Sequence, residues 1–267
     1  MARVVEGTLH YVRAALRHVG LTVHRYSPAT VPDARIQALL AHHQIDLVLD
    51  VGANAGQYAL ALRHAGYSGQ ILSFEPLRDA WEQCTANARG DRLWSVAPQM
   101  ALGAKEGRAD VHVAKNSVSS SILPMRDAHR AAAADSSYVG TESVNLRRLD
   151  GIARDAIERA RRPFLKIDTQ GYEREVLEGA TGVLDRIRGV QLEISLTPLY
   201  EGSPTLSEIL GLMEHWGFMP EAVLPGFSDL TSGRMLQVDG LFFRPEAVAS
   251  PSAPRLAATT QAGSDTR

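Results

Sequence analysis

The chain has 267 residues, 45% hydrophobic and 22% charged, with a formal net charge of −2. That length and balance suit one globular domain with an appendage, able to bury a core without disulfide or metal staples. The charge gives no global attraction to a phosphate backbone, so a nucleic-acid partner is not expected. A lone cysteine, Cys84, excludes an internal disulfide and a cysteine-rich metal cluster, and with them the need for an oxidising compartment, so a cytoplasmic location is expected.

The longest apolar runs, such as Leu47 to Val51, fall far short of the ~20 residues that a membrane span takes. The start of the chain carries Glu6, His10, Arg13 and Arg17, which breaks the apolar core of a signal peptide. Val5, Leu9, Val12, Leu16 and Val19 recur at helical spacing and predict an amphipathic helix over residues 4–19, ended by Gly20. Its stripe either packs on the main domain or makes a peripheral membrane or partner contact. A proline-bounded linker, residues 27–32, and a second helix over 33–43 complete an N-terminal helical extension, 1–44.

From there strands and helices alternate: strand 46–51, helix 57–65, strand 70–74, helix 78–88 and strand 93–102. This order predicts a parallel sheet with right-handed crossovers. Residues 110–114 read as a short extra strand. The polar stretch 115–121 and the alanine-rich 131–134 that follow form a long irregular segment of the kind that makes a lid or binding loop. Alternation resumes with strand 164–168, helix 172–184, strand 190–195, helix 205–216 and strand 240–244. After Pro245 the composition turns to Ala, Ser, Thr, Pro and Gly, which predicts a disordered tail over 246–267.

Asp50-Val-Gly-Ala-Asn-Ala-Gly56 breaks the first strand into a small-residue loop at a helix start, where backbone amides and the helix N-terminus can approach a ligand. Gly52 and Gly56 bracket Ala53, Asn54 and Ala55, so the pyrophosphate cradle of a dinucleotide site is incomplete. Glu75 ends the next strand, where its two oxygens can accept both hydroxyls of a ribose. With Asp50 it supplies the carboxylates that a cationic, ribose-bearing ligand such as S-adenosylmethionine needs. The ribose contact alone serves NAD equally, and each acid taken singly also fits a capping or surface role.

In chain order, Asp50-Val-Gly-Ala-Asn-Ala-Gly56, Phe74-Glu-Pro76, Ala101-Leu-Gly103, Leu149-Asp150 and Leu165-Lys-Ile-Asp-Thr-Gln-Gly-Tyr172 with Val176-Leu-Glu-Gly-Ala180 resemble the blocks of the FkbM family of methyltransferases. The first two blocks occur in many methyltransferases, whereas the Lys-Ile-Asp block followed by Val-Leu-Glu-Gly-Ala is far more specific. The resemblance, over roughly residues 47–244, implies an α/β class I methyltransferase domain, Rossmann-like, over 45–245. Its expected centre is a mostly parallel seven-stranded sheet with helices on both faces, in addition to the N-terminal helices. The resemblance implies S-adenosylmethionine as methyl donor and an oxygen nucleophile on a small molecule or glycan as acceptor. Residue by residue, it puts Gly52 and Asn54 along the donor, Glu75 on its ribose, and Met100 and Ala101 on its adenine. With Asp50, Ala53 and Gly56 these form the expected donor-binding set. Ser119, Ser120 and Ser121 correspond to the family's loop near the active site. One departure stands out: Gln170 occupies a position where the family commonly has an acid.

Methyl transfer is an in-line displacement in which the acceptor oxygen faces the sulfur and loses its proton, so a base or a metal must stand nearby. Lys166 and Asp168 share one face of their strand, and Glu193 lies near the end of the next, so the two acids can converge at the sheet rim. Asp168 is the first candidate for general base, with capping of the following helix as its structural alternative. Glu193 and His129, the latter in the irregular segment, are the other catalytic candidates. Asp168 and Glu193 are also candidate ligands for a magnesium ion, though no third ligand stands in an evident pattern. Lys166 and Tyr172 join the three serines as acceptor-binding candidates, since an aromatic ring can stack on a sugar as well as fill a core.

The combined expectation is an S-adenosylmethionine-dependent O-methyltransferase acting on a hydroxyl of a sugar, polysaccharide or glycolipid. A dehydrogenase using NAD would need the missing cradle, and an inactive binding module would not need Asp50, Glu75 and Asp168. The acceptor's identity and the oligomeric state stay open at this level.

Overall fold

A computed structural model describes residues 15–245. Most of the helix expected over 4–19, and with it any membrane contact there, lies outside the described residues, as does the expected tail over 246–267. Within them, residues 15–18 are helical and Gly20 follows with φ +75°, the left-handed conformation that ends helices.

The N-terminal part of the domain runs α1 (Pro32–His42), β1 (Leu47–Val51), α2 (Gln57–His64), β2 (Gln70–Phe74), α3 (Arg78–Ala88), β3 (Trp94–Val96), β4 (Ala101–Leu102) and β5 (Gly107–Ala114). Then come α4 (Asp127–Ala132), β6 (Tyr138–Arg147), α5 (Leu149–Ile152), α6 (Arg154–Arg159), β7 (Pro163–Ile167), α7 (Glu173–Glu178), β8 (Gly189–Ser195), α8 (Leu206–His215), β9 (Met219–Pro225) and β10 (Gln237–Phe243). Seven strands form one sheet in the order β3-β2-β1-β7-β8-β10-β9. β10 runs antiparallel to both β8 and β9, and the other six strands share one direction. This is the seven-stranded class I methyltransferase arrangement.

The central strands are buried from end to end, as a parallel sheet covered on both faces requires. Alternation then sorts their side chains. Leu47, Leu49, Leu165 and Ile167 pack toward Leu149, Ile157, Val176 and Ile209 of α5 to α8. Val48, Ile71 and Phe164 pack on the other face toward Leu40 of α1, Leu62 of α2 and Cys84 of α3. Helix α8 opens with a capping box in which Thr205 and Glu208 satisfy each other's backbone amides.

Residues 93–102 divide where the apolar run reads as one strand. β3 edges the main sheet, and beyond Pro98, which has no amide to donate, β4 joins a second sheet of order β4-β6-β5. Strand β6 escapes the hydrophobic pattern because most of it is exposed, with Val144 and Leu146 as its buried positions. β9 escapes it for the same reason and carries Pro220 and Pro225 at the sheet edge. Helices α5 and α6 are too short to show a helical period. Helix α7 ends at Glu178, six residues before the predicted end at 184, and at the next residue, Gly179, an added Cβ would lie 2.1 Å from the Gly103 carbonyl oxygen.

Candidate active site

A cavity of about 450 Å³ opens at the carboxyl ends of β1, β2, β7 and β8, walled on one side by the small sheet. Its size is that of a small-molecule site. Beneath it, Ser73, Asp50, Lys166 and Gln191 are neighbours across four adjacent strands, a polar row set into the apolar face that α1 to α3 cover. Lys166 Nζ lies 3.1 Å from Asp50 Oδ1 and 3.6 Å from Asp168 Oδ2, and donates to the Gly52 carbonyl at 3.1 Å. Burial works against the lysine's charge, but the carboxylates of Asp50 and Asp168 hold it above the ordinary lysine range. Asp50 is fully buried and does not line the cavity. It is the counter-ion that keeps Lys166 in place, and removing one partner of such a pair costs about 3–5 kcal/mol.

The loop after β1 is shaped by positive φ. Gly52 has φ +75°, and a Cβ there would lie 1.9 Å from the Asp168 carbonyl oxygen, so only glycine lets the loop rest on the end of β7. Asn54 has φ +47°, which turns its backbone N–H onto Glu75 Oε2 at 2.7 Å, while Leu77 N donates to Glu75 Oε1 at 2.9 Å. Burial raises the Glu75 carboxyl to about 7, against the pull of those two amides and of Lys166. Gly56, φ +88°, starts α2 behind the wall, packed on Trp94. Ala53, Met100 and Ala101 line the cavity alongside Phe74 and Leu77, giving it an apolar slot beside Glu75.

The rest of the lining includes Asp168, Thr169 and Gln170 together with the serine segment, while Tyr172 packs against the apolar slot itself, on the clusters of Leu77, Ala101 and Met100. That segment is hydrogen-bonded rather than loose. Ser121 Oγ donates to the Gln170 carbonyl at 2.7 Å, Ser120 Oγ accepts from Ala114 N, and Asn54 Nδ2 reaches Ser117 Oγ at 3.3 Å. Ser120 and Ser121 line the cavity, whereas Ser119 is turned inward and accepts from Asn116 Nδ2. Glu173, not Asp168, serves the amides after β7: its Oε1 accepts from Thr169 N and Gly171 N, each at 3.0 Å. Asp168 is left partly exposed.

The three catalytic candidates thus occupy different settings. Asp168 lines the cavity. Glu193 stands behind it, its Oε2 accepting from Gln170 Nε2 and Gln237 Nε2 at 2.7 Å each, and burial followed by the charge of Asp168 pushes it well above the usual carboxylate range. His129 is buried outside the lining, 3.3 Å from Ser119 Oγ and packed on the rings of Tyr200 and Phe227, and burial lowers it to about 4. Asp168 and Glu193 do meet, but the Gln170 amide lies between them and donates to both. Among the described residues no group of three or more His, Cys, Asp or Glu side chains is arranged to hold a metal ion. The Gln170 N–H groups already occupy Asp168 Oδ1 and Glu193 Oε2, the oxygens through which the pair would have to share an ion, so these carboxylates do not fit magnesium.

Sequence patterns leave out one end of the cavity. Tyr58 OH donates to Gln191 Oε1 at 2.8 Å and Gln191 Nε2 to Asp239 Oδ1 at 3.3 Å, with burial and Asp168 raising Asp239 to about 6. Gln191 was within reach, since it precedes Glu193 by two residues on one strand and so shares its face. Asp239 pairs directly with Glu193 across β8 and β10, a register that only the antiparallel pairing reveals. In all, four acids (Asp33, Glu75, Asp168 and Asp239) and one lysine line the cavity, an electrostatic balance that favours a cationic ligand.

Residues 50–220 match the methyltransferase FkbM domain model. The chain is 27% identical over 217 residues to the 2-O-methyltransferase NoeI of Sinorhizobium fredii, covering 78% of this chain and 87% of that protein. Similar solved structures include the magnesium protoporphyrin IX methyltransferase ChlM from Synechocystis with bound S-adenosylmethionine, at 11% identity and TM-score 0.44, covering 80% of this chain and 78% of that one. An rRNA methylase from Streptococcus thermophilus has 13% identity and TM-score 0.44, covering 81% and 98%.

Proposed function

The chain belongs to the FkbM methyltransferase family and is an S-adenosylmethionine-dependent methyltransferase, and on that premise we propose that it methylates a hydroxyl of a sugar, polysaccharide or glycolipid, with Asp168 as general base. The observation that carries this reading is the place of Asp168. Its backbone carries the Gly52 loop and its side chain lines the cavity opposite Glu75, partly open to solvent.

When bound, the donor would supply a methyl group on a cationic sulfur, and its carbon–sulfur bond would break as the new bond to oxygen forms, leaving the neutral thioether S-adenosylhomocysteine. Glu75 has lone pairs left beyond those taken by Asn54 and Leu77, and these accept the ribose hydroxyls. The apolar slot beside it, with Met100 and Ala101, takes the adenine, and the excess of acids in the lining favours the sulfonium. Asp168 takes the proton that the acceptor oxygen loses as its bond to the methyl carbon forms, and Ser120, Ser121 and Tyr172 offer hydroxyl and ring contacts to a polyol. A hydroxyl acceptor is supported by the relative named as a 2-O-methyltransferase.

The test is calorimetric titration with S-adenosylhomocysteine against NAD as control, followed by transfer from methyl-labelled donor to a panel of methyl glycosides with and without a chelator. Binding of the first ligand alone and label on a glycoside hydroxyl are expected. Failure to label any glycoside would overturn the sugar acceptor, and activity that vanishes reversibly in chelator would restore the magnesium ion.

A further inference from the structure

Gln170 lies between the two carboxylates of the site in a setting that accounts for every polar atom of its side chain. Its backbone has φ +55°, a conformation that residues other than glycine rarely adopt, and its carbonyl is held by Ser121 Oγ. The side-chain amide donates to Asp168 Oδ1 at 3.0 Å and to Glu193 Oε2 at 2.7 Å, while its oxygen accepts from Tyr200 OH at 2.6 Å. Tyr200 is fully buried and packed in a small cluster with Met125, Leu199 and Leu236. Its hydroxyl donates to the amide oxygen, with the Ser119 carbonyl as a longer second acceptor at 3.3 Å. The two carboxylates and this hydroxyl together aim the amide, because a flipped amide would press its oxygen against two carboxylates. Gln237 adds a second amide to Glu193 Oε2 at 2.7 Å, so Glu193 is anchored from both sides, whereas Asp168 has Gln170 on one oxygen and the longer approach of Lys166 on the other.

We propose that Gln170 is a positioning residue of methyl transfer: aimed by Tyr200, its amide bridges Asp168 and Glu193 and fixes the carboxylate that takes the acceptor's proton. The inference rests on Asp168 being that base. Two acids on successive strands repel, and a neutral double donor separates them without adding charge. The same place filled by a third carboxylate would offer no donor unless protonated.

Gln170→Leu, Gln170→Glu and Tyr200→Phe test this by two measurements. The first is the carboxyl titration of ¹³C-labelled Asp and Glu in the donor-free protein. The second is the pH profile of label transfer to the methyl glycoside panel, with S-adenosylhomocysteine affinity, expected within about threefold of the original, as the check on folding. In Gln170→Leu the Glu193 midpoint is expected to rise by about one to two pH units, the effect of losing a charge-assisted hydrogen bond, and kcat to fall by about 100-fold. Gln170→Glu, which restores the acid common at this position, is expected to keep transfer but to move its pH profile toward acid, where a protonated carboxyl donates one of the two bonds. Tyr200→Phe, which loses the aim but keeps the amide, is expected to fall by about 10-fold. An unchanged carboxyl titration in Gln170→Leu, or a Gln170→Glu profile with the original shape, overturns the inference even if the melting temperature drops. A shifted titration with no transfer to any glycoside supports the bridge and counts against the sugar acceptor instead.

Discussion

The two walls of the cavity proposed for the donor and for the acceptor, the donor wall and the acceptor wall, are built by different means. The donor wall uses two adjacent strand ends, and its decisive contacts are made by backbone: Asn54 N and Leu77 N on Glu75, and Gly52 against the Asp168 carbonyl. The acceptor wall gathers side chains from Ser117, Ser121, Gln170, Glu193 and Tyr200, tied to one another by hydroxyl and amide hydrogen bonds. A backbone-built wall tolerates many side chains but no added atom at its closest approach. A side-chain-built wall keeps its shape through most substitutions and loses its chemistry with one.

Gly52→Ala is the strongest way to break the donor wall. A methyl 1.9 Å from a carbonyl oxygen, at φ +75°, is expected to cost about 4 kcal/mol or more and to abolish donor binding. Thermal unfolding and S-adenosylhomocysteine calorimetry read both effects, and a stable, ligand-binding variant would show that the loop can lift off β7. On the acceptor wall, Asp168→Asn is expected to leave donor affinity and melting temperature nearly unchanged while kcat drops about 10³-fold. A variant that unfolds, or one that turns over normally, would remove Asp168 from the role of base.

A smaller effect follows from pH. Glu75 and Glu173 are raised from 4.5 to about 7 in the fold, mainly by burial, so between those values the folded state binds more protons than the unfolded chain. The contribution of these two groups to the stability of the donor-free protein is therefore full below about pH 4.5 and is lost as pH rises through about 7. A cationic donor favours ionised Glu75 and reverses that trend, so the rise in melting temperature on adding S-adenosylmethionine should be larger at pH 8 than at pH 5.5. Glu75→Gln should flatten the difference and weaken donor binding by roughly 10- to 100-fold. The smallest change is expected from His129→Gln, whose kcat and pH profile should stay within about threefold of the original because the ring is buried away from the cavity. A lost alkaline or acidic limb would bring the histidine back into the chemistry.

Much of the fold was legible because the apolar runs of β1, β2 and β7 stop at Gly52, Glu75 and Asp168, and α3 follows its pattern to the residue. β6 and β9 were not, because strands exposed over most of their length carry no alternation that differs from a loop. Within the site, the run from Asp50 to Gly56 and Glu75 could be found as a unit, since a loop and the strand beside it encode their own geometry. Gln191, Asp239 and Tyr58 could not, because each acquires meaning only from a partner in another element.

What the sequence determined by itself, then, is the donor frame: strand, glycine turn and helix start are contiguous, and the φ values they need are written in residue type. What tertiary structure decided is which of Asp168, Glu193 and His129 faces the cavity, and that an amide stands between the first two. Those relations join residues 129, 168, 193 and 200 through hydrogen bonds and burial, and neither quantity exists until the strands have paired and the segment over them has closed.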